Sequence, residues 1–328
     1  MNLFKKILKF FSIFIFSYIL FFFSIYIISG FLLLNKITPK QSLIKHYQRN
    51  FYLNIGLRDI WQSHKECIEF DKDLIFIPKE TSCRFKNLEF DTVITFDKFG
   101  RYSNHDLKKG SGVAVLGDSF AMGWGVNDNQ TFSAILEKNI NKPVYNLAVS
   151  GYGTIKELIR LEKSGLADQV DTVIIQYCYN DSGENEAYKK DTLIEAKKKF
   201  NTIGNSKPIS FFKKLRKSFR YSLQIPIREI KSKNNKGMNF DHHHNRLMEI
   251  LRNSDVLNNK RVILFYTNGY DMEFENFPSK KSKEIKNLEF IDFKLKEEHF
   301  FHIDGHLSVY GHEVIAEKLS RVLINENN

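Results

Sequence analysis

The sequence predicts an α/β protein, a three-layer α/β/α sandwich with a five-stranded parallel sheet, preceded by a transmembrane helix. Short apolar runs rich in Val, Ile and Tyr alternate with amphipathic stretches of helical length. This alternation is typical of a parallel sheet that carries helices on both faces. A second observation is the uncharged apolar stretch at residues 10–34, which is long enough to cross a bilayer.

The core elements follow one another in the order expected for such a sheet. Strands are predicted at 113–116, 143–147, 172–177, 261–267 and 288–292, and helices at 130–140, 154–164 and 308–324. The first strand, residues 113–116, is four apolar residues closed by Gly117, which indicates burial on both faces. Ligands of open α/β sheets bind beyond the carboxyl ends of the strands, so the residues directly after it are candidates for chemistry.

Residues 10–34 are predicted to be an uncleaved membrane anchor, with residues 1–9 as a short cytoplasmic tail. At about 1.5 Å per residue these 25 residues span about 37 Å, more than the hydrocarbon layer of about 30 Å. A cleaved signal peptide needs a shorter apolar core and small residues at the cut, but no alanine precedes Ala114. The flanking cations are nearly balanced, and a long trailing domain crosses largely regardless of them. We therefore expect a single-pass membrane protein whose main domain is periplasmic or otherwise extracytoplasmic.

Residues 35–109 predict a juxtamembrane stalk and a small β-rich segment. The stalk is the amphipathic stretch 35–60, and alternating runs over 66–104 predict short strands in an antiparallel layer. The main domain is then predicted to occupy 110–328.

The chain has three cysteines, too few for a disulfide framework. Free, half-buried thiols are the simpler expectation for Cys67, Cys83 and Cys178. A single Cys67–Cys83 bridge is the alternative if the domain faces an oxidising compartment.

A basic insertion, residues 189–260, interrupts the main domain. It holds 18 Lys or Arg against 6 Asp or Glu, a surplus of 12, whereas the whole chain carries a net charge of +11. Cations interleave with phenylalanines over 211–220, which suits contact with anionic lipid or a lid over an acidic glycan. A solvated loop explains the charge equally well. No nucleic acid is expected as a partner, because the chain is tethered to a membrane.

Four motifs occur along the main domain in a fixed order. They are Gly117-Asp118-Ser119-Phe120 with Gly123-Trp124-Gly125-Val126, then Asn146-Leu147-Ala148-Val149-Ser150-Gly151-Tyr152-Gly153, then Asn180-Asp181, and last Asp304-Gly305-His306-Leu307-Ser308 with Gly311-His312. Together they resemble the sequence blocks of the SGNH/GDSL hydrolase family, over about 110–182 and 256–325. The resemblance implies a flavodoxin-like sheet of strand order 2-1-3-4-5 and an activity on ester bonds.

Three residues of these motifs have the side chains of an activated hydroxyl nucleophile. A serine hydroxyl attacks an ester only when a base removes its proton, and Ser119 is the predicted nucleophile. His306 is the predicted base, because imidazole exchanges protons near neutral pH, and Asp304 is predicted to hold its tautomer. Their spacing is Asp-x-His, whereas the family's usual spacing is Asp-x-x-His.

The resemblance also implies an oxyanion hole with three donors. These are the backbone N–H groups of Ser119 and Gly151 and the side-chain amide of Asn180. Glycine permits close backbone approach, and an asparagine amide donates hydrogen bonds without adding charge. In the third motif, Cys178 stands where the family has glycine.

Other residues could compete for these roles. His302 and His312 are alternative bases, although His312 falls within the final predicted helix and is expected to pack or cap there. Asp118 is expected to orient the turn that carries the nucleophile. The three histidines at 242–244 lack a second ligand cluster, so a polar helix start is expected and no metal. No cofactor is expected, because the glycines lack the spacing of a nucleotide-binding loop.

The sequence leaves three functions open. The first is a serine esterase that removes acyl groups from cell-envelope saccharides or lipids through an acyl-Ser119 intermediate. The second is an O-acyltransferase that passes the acyl group to an envelope polysaccharide. The third is a non-catalytic envelope-binding module, against which the intact motifs argue.

Overall fold

A computed structural model describes residues 2–37, 42–55, 58–102, 111–203, 210–226, 240–267, 285 and 287–324. The strands are β1 Ile68–Asp71, β2 Ile75–Pro78, β3 Ser82–Lys86, β4 Asp91–Asp97, β5 Gly100–Arg101, β6 Gly112–Leu116, β7 Val144–Asn146, β8 Val170–Tyr177, β9 Arg261–Tyr266 and β10 Leu288–Phe290. The α-helices are α1 Asn2–Leu34, α2 Ser42–Ile55, α3 Ser119–Met122, α4 Phe132–Ile140, α5 Thr154–Lys163, α6 Tyr179–Ala187, α7 Leu193–Thr202, α8 Phe211–Ser222, α9 Phe240–Arg252 and α10 Val309–Ile324.

The chain divides into two compact units. One comprises Met1–Asp59 and Lys207–Met238, and the other Ile60–Ser206 and Asn239–Asn328. In the first unit, α1 is long and apolar enough to cross a membrane over Phe4–Leu34. Its other described helices, α2 and α8, pack against α1 and against each other.

The second unit is built around the predicted parallel sheet. Its parallel strands are ordered β7-β6-β8-β9-β10, which in order along the chain is 2-1-3-4-5. The register places Val115 of β6 between Asn146 of β7 and Ile174 of β8. The α/β class, the five parallel strands and their order are therefore confirmed.

The sheet is larger than predicted, because three antiparallel strands continue it beyond β7. The order there is β7-β5-β4-β3, so the whole sheet is mixed and has eight strands. The link is the pairing of Arg101 with Asn146, which gives the outer edge of β7 a partner instead of leaving it open to other chains. The predicted antiparallel segment is thus part of the sheet itself, and β1 and β2 form a separate hairpin. The predicted domain limit at residue 110 stays a prediction.

The alternation of side chains along β6 sorts the core into two faces. Val113 and Val115 belong to one apolar cluster, which includes residues of α4 and α10. Ala114 and Leu116 belong to the other, which includes residues of α5 and α9. Successive strand residues point to opposite faces, so one strand contributes to both clusters. Helices on both faces confirm the three-layer sandwich.

The cysteines differ from the simpler expectation. Cys67 and Cys83 form a disulfide, so free thiols were the wrong expectation for this pair, while Cys178 is free and buried. Cys67 directly precedes β1 and Cys83 lies in β3. The bridge therefore ties the β1–β2 hairpin to the antiparallel end of the main sheet, a proximity that only the tertiary fold creates.

The predicted insertion 189–260 contains three described helices that belong to different units. Both α7 and α9 lie in the second unit, whereas α8 lies in the unit that holds α1. Because the second unit contains the four sequence motifs, we call it the motif-bearing unit. The histidine run at 242–244 falls in the first turns of α9. Of its side chains the structure describes His244, which is buried with its Nδ1 3.4 Å from the Tyr266 hydroxyl.

Candidate active site

Ser119 lies on a sharp turn at the carboxyl end of β6. Gly117 has φ +151°, and a Cβ there would come within 2.7 Å of both the Ala121 Cβ and the Gln176 side chain. Asp118 caps the short helix α3, because its Oδ1 accepts the Phe120 N–H at 2.9 Å. Ser119 is then the first helical residue, so capping occupies its neighbour and leaves the serine hydroxyl for another role.

The structure brings Ser119, His306 and Asp304 together. Nε2 of His306 is 2.8 Å from the Ser119 hydroxyl oxygen, and its Nδ1 hydrogen-bonds the Asp304 carboxylate. Asp304 and His306 are both buried. Gly305 between them has φ +82°, the left-handed region that glycine adopts without strain. This turn lets an acid and a base only two positions apart form the hydrogen bond that the shortened Asp-x-His spacing requires.

The loop that carries the acid and the base is held by Glu89, a residue that sequence reasoning missed. Its Oε2 accepts the backbone N–H groups of Ile303 at 2.9 Å and of Asp304 at 2.7 Å. Glu89 lies between β3 and β4, and burial raises the pKa of its carboxyl. No local pattern marks it, because its partners lie more than 200 residues further along the chain.

Arg101 is a second anchor that the sequence did not reveal. It is 1% exposed, and its guanidinium donates to the carbonyls of Met122, Gly123 and Val126 at 2.5 to 2.6 Å. Its Nε is 3.0 Å from Asp128, which balances the buried charge. Arg101 thereby fixes the glycine-containing loop that follows α3 in the first motif.

Asn180 lies near Ser119 through a shared partner. It is in the first turn of α6, and its amide donates to Asp118 Oδ2 at 3.1 Å. The same carboxylate oxygen is 3.4 Å from the Ser119 hydroxyl. Asp118 is 1% exposed, and burial raises the pKa of its carboxyl. Asp118 thus positions both the turn that carries Ser119 and the side chain of Asn180, in keeping with its expected orienting role.

Gly151 lies in a loop that is hydrogen-bonded to the turn that carries Ser119. The Val149 N–H donates to the Gly117 carbonyl at 3.1 Å. Gly151 itself has φ +83°, and a Cβ there would come within 2.7 Å of the Gln62 amide. Gln62 in turn donates to the Ser150 carbonyl at 2.7 Å, so this residue, which precedes β1 in the chain, also supports the loop.

Two further buried acids are residues of the helices α5 and α6. Glu157 is 1% exposed and Asp181 is fully buried, and burial raises the pKa of both carboxyls well above their ordinary values. The negative charge of Asp118 pushes both in the same direction. Asp181 accepts the Cys178 N–H at 2.6 Å and so fixes the start of α6, the helix that presents Asn180.

The alternative histidines have other surroundings. His312 is fully buried in α10, and its Nδ1 accepts the Phe132 N–H at 3.1 Å. Burial lowers its pKa to about 3, so the ring is neutral at physiological pH. His302 is half-buried with Nδ1 3.8 Å from Glu297. Of the three rings, the structure places that of His306 in hydrogen-bond contact with Ser119.

Two aromatic residues of the motifs prove to be core residues. Trp124 is 3% exposed and packs against Phe85 and Phe90. Tyr152 is fully buried, and its hydroxyl donates to the Phe76 carbonyl. Both belong to the apolar cluster that includes residues of α4 and α10.

A cavity of about 370 Å³ opens beside Gly151. Gln62, Tyr188 and Ile203 contribute to its wall. Six charged residues also line it: Asp73, Lys156, Glu184, Lys189, Asp191 and Lys199. Three of them are acidic and three are basic, and Lys199 forms a 2.6 Å ion pair with Asp191.

One group of described side chains has metal-ligand geometry, namely His64, Glu66 and Cys67. Cys67 is already bonded to Cys83, so its sulfur is not available as a thiolate ligand. This group therefore does not fit a metal site.

Comparison with known proteins finds similar solved structures but no similar family or curated sequence. No protein-family model matches the chain, and no curated protein matches it. A protein of the G-D-S-L family from Desulfitobacterium hafniense DCB-2 is 17% identical, and the match covers 65% of this chain and 99% of that one with a TM-score of 0.41.

Two carbohydrate-active enzymes are among the other matches. A family two carbohydrate esterase from Clostridium thermocellum is 13% identical over 69% of this chain and 67% of its own, with a TM-score of 0.37. Axe2, an acetylxylan esterase from Geobacillus stearothermophilus, is 16% identical over 66% and 94% with a TM-score of 0.36. These scores are too low to carry an argument about function. The strand order and the meeting of the motifs at one sheet edge are features of the chain itself, and by these it has the fold of the SGNH/GDSL hydrolases.

Proposed function

We propose that the protein is a membrane-anchored serine esterase that hydrolyses ester-linked acyl groups of cell-envelope saccharides. The observation that carries the proposal is the hydrogen-bonded chain Ser119–His306–Asp304, formed between residues 187 positions apart. Such a chain is the arrangement by which a hydroxyl becomes a nucleophile.

In the proposed reaction, His306 Nε2 takes the Ser119 proton as the hydroxyl oxygen attacks the ester carbonyl. Asp304 holds the ring so that Nε2 faces the serine, and its negative charge stabilises the imidazolium. The tetrahedral intermediate collapses, His306 gives the proton to the departing alcohol, and the acyl group stays on Ser119. Water, deprotonated by His306, then releases the acid and restores the serine.

The oxyanion of that intermediate needs donors that are already in place. The Ser119 N–H lies at the start of α3, where backbone N–H groups have no partner within the helix. A side-chain amide carries two N–H donors, so Asn180 can bond Asp118 with one and the oxyanion with the other. We assign the third donor to the Gly151 backbone.

The cavity beside Gly151 favours a saccharide over a lipid as the alcohol part of the ester. Its wall offers six Lys, Asp and Glu side chains around a space of about 370 Å³. Sugar hydroxyls can hydrogen-bond such groups, whereas a hydrocarbon chain would remove water from them without offering any hydrogen bond in return.

The location is proposed on two observations. Helix α1 is long and apolar enough to be a membrane anchor. The Cys67–Cys83 disulfide in the other unit suits an oxidising compartment, which supports a location of the motif-bearing unit outside the cytoplasm. The test fuses, after Asn328, a reporter that functions only in the cytoplasm. Activity of this reporter would overturn the proposed orientation.

Hydrolysis of a small aryl acetate by the full-length chain in detergent tests the proposal. Release of the aryl alcohol is expected, and Ser119→Ala should lower it by several orders of magnitude, as for other activated serines. Ser82→Ala, which changes an exposed serine on β3, should leave the rate unchanged. No release from the native chain, and no labelling by a serine-directed phosphonate, would instead support a non-catalytic module.

Adding an oligosaccharide acceptor to the same assay separates hydrolysis from transfer. An esterase releases free acetate at the same rate with or without the acceptor. Acetylated acceptor that forms only with intact Ser119 would favour the O-acyltransferase.

A further inference from the structure

The unit that holds α1 contains an arrangement that the proposed chemistry does not use. Helix α8 packs against α1, although it begins almost 180 residues after α1 ends. The centroid of the Phe219 ring is 5.2 Å from that of Phe23 and 5.8 Å from that of Tyr26. Asn50 of α2 donates its amide to the Ser218 carbonyl at 2.8 Å. The three helices therefore form one packed group.

Coverage of α1 changes along its length. From Phe4 to Phe21 its side chains are exposed, apart from a half-exposed Tyr18. Further on, Tyr26, Ser29 and Leu33 on one face are all at most 2% exposed. A Cβ on neighbouring Gly30 would come within 2.7 Å of a ring carbon in α2, so the helices touch there.

The part of α1 that precedes the covered face matches the thickness of a bilayer. From Lys9 to Tyr26 the helix rises by about 26 Å, close to the hydrocarbon thickness of about 27–30 Å. Lysine and tyrosine at the two ends suit the two interfaces. Helix α1 would thus leave the membrane near Tyr26, where α2 and α8 begin to cover it.

The side of α8 that faces away from its neighbours is cationic. Ser218 and Ser222 are buried on the packed side. The opposite side carries four exposed cations at positions i, i+3, i+4 and i+7, which we call the basic stripe: Lys213, Arg216, Lys217 and Arg220. Within the part of the chain that the structure describes, none of the four has an acidic partner.

We propose that α1, α2 and α8 form a collar at the membrane surface, in which the basic stripe binds anionic lipid headgroups. Phe211 and Phe212, 57% and 78% exposed at the start of α8, enter the interfacial layer beside it. Basic helices with exposed phenylalanines lie in this layer, and polybasic segments next to a membrane helix attract anionic lipid. An acidic-glycan lid fits less well, because α8 belongs to the unit of α1 and not to that of the catalytic motifs.

Hydrogen exchange on the full-length chain in lipid nanodiscs tests the collar. Peptides covering 211–222 should exchange several-fold more slowly in discs that contain phosphatidylglycerol than in pure phosphatidylcholine discs. The difference should vanish in about 1 M salt, which screens charges beyond about 3 Å. It should also vanish when the four stripe residues become glutamine (Lys213→Gln, Arg216→Gln, Lys217→Gln, Arg220→Gln).

A matched control changes four exposed lysines of the other unit (Lys72→Gln, Lys138→Gln, Lys197→Gln, Lys198→Gln) and should keep the lipid effect. Equal exchange in both discs, or a lipid effect that survives in the stripe variant, overturns the collar. Protection by a soluble polyanionic glycan but not by phosphatidylglycerol would assign the stripe to glycan instead. A chain that does not remain with the discs refutes the membrane position of α1, and with it the collar. Ester hydrolysis, measured in parallel, should be equal in all variants.

Discussion

At the scale of single residues, the site combines groups that are proposed to act on the substrate with groups that hold them in place. Ser119, His306 and Asn180 are proposed to touch the reacting atoms. Asp118 and Glu89 are positioning residues, since each accepts hydrogen bonds that fix a loop or side chain of the site. This division gives mutants of the two kinds different kinetic signatures.

Replacing Asn180 by alanine should lower kcat by about 10²–10³ with little change in KM. The amide is proposed to meet charge that exists only in the transition state, and losing one such donor has an effect of this size. Asn129→Ala, at an exposed asparagine, is the control and should behave as the native chain. A kcat within about twofold of native for Asn180→Ala would remove this residue from the oxyanion hole.

Replacing Glu89 by alanine should lower kcat on the order of 10- to 100-fold, because a small misplacement of a catalytic group has large effects. Glu89→Gln keeps an oxygen that can accept both N–H groups and should restore most of the activity. Glu80→Ala, at an exposed glutamate of the same segment, is the control. Equal losses for Glu89→Ala and Glu89→Gln would mean that the charge of Glu89, and not its hydrogen bonds, matters.

At the scale of elements, the match between prediction and structure follows from local patterning. The strand expected at 113–116 is β6, Gly112–Leu116, and the helix expected at 154–164 is α5, Thr154–Lys163. Burial on both faces made the first strand uniformly apolar, and a one-sided core made α5 amphipathic. The continuation of the sheet through β5 escaped prediction, because a two-residue strand has no periodicity to read.

The buried acid of α5 makes the stability of the motif-bearing unit depend on pH. Burial raises the pKa of Glu157, so the folded chain keeps a proton that the unfolded chain releases. The free energy of unfolding should therefore fall as pH rises above the ordinary pKa of 4.5, by at most about 1.4 kcal/mol per pH unit for one proton.

Glu157→Gln cannot release this proton, so its unfolding free energy should fall less steeply between pH 5 and 8. Urea unfolding followed by tryptophan fluorescence measures this slope. Glu162→Gln changes an exposed residue of the same helix and should keep the native slope. Identical slopes in all three proteins would show that Glu157 is already ionised in the folded state.

At the scale of the whole molecule, the two compact units contain different functional features. The unit from Ile60 onward contains all four motifs and its own apolar clusters. The other contains the apolar helix and the basic stripe. The predicted insertion 189–260 thus contributes helices to both units, which its composition alone did not reveal.

A chain made of residues 60–206 joined to 239–328 should therefore fold as a soluble protein and hydrolyse the aryl acetate at close to the native rate. A fragment 36–328 keeps α2 and α8 but lacks α1, which would expose Phe51 and Phe219. It should aggregate without detergent, as chains with large exposed apolar patches do. Size-exclusion chromatography shows whether each chain aggregates, and the aryl acetate assay gives the activity of the first chain. If the first chain is inactive or aggregated, the motif-bearing unit does not fold and act independently.

The sequence by itself determined the apolar helix, the parallel sheet with its helices, and the identity of Ser119, His306, Asp304, Gly151 and Asn180 as candidates. Local periodicity and short motifs predict these features. Only the tertiary structure decided that Glu89 and Arg101 hold the site, that Cys67 meets Cys83, and that α8 returns to α1. Each of these contacts joins residues far apart in the chain, and no local pattern encodes which distant partner a buried carboxylate, guanidinium or thiol will find.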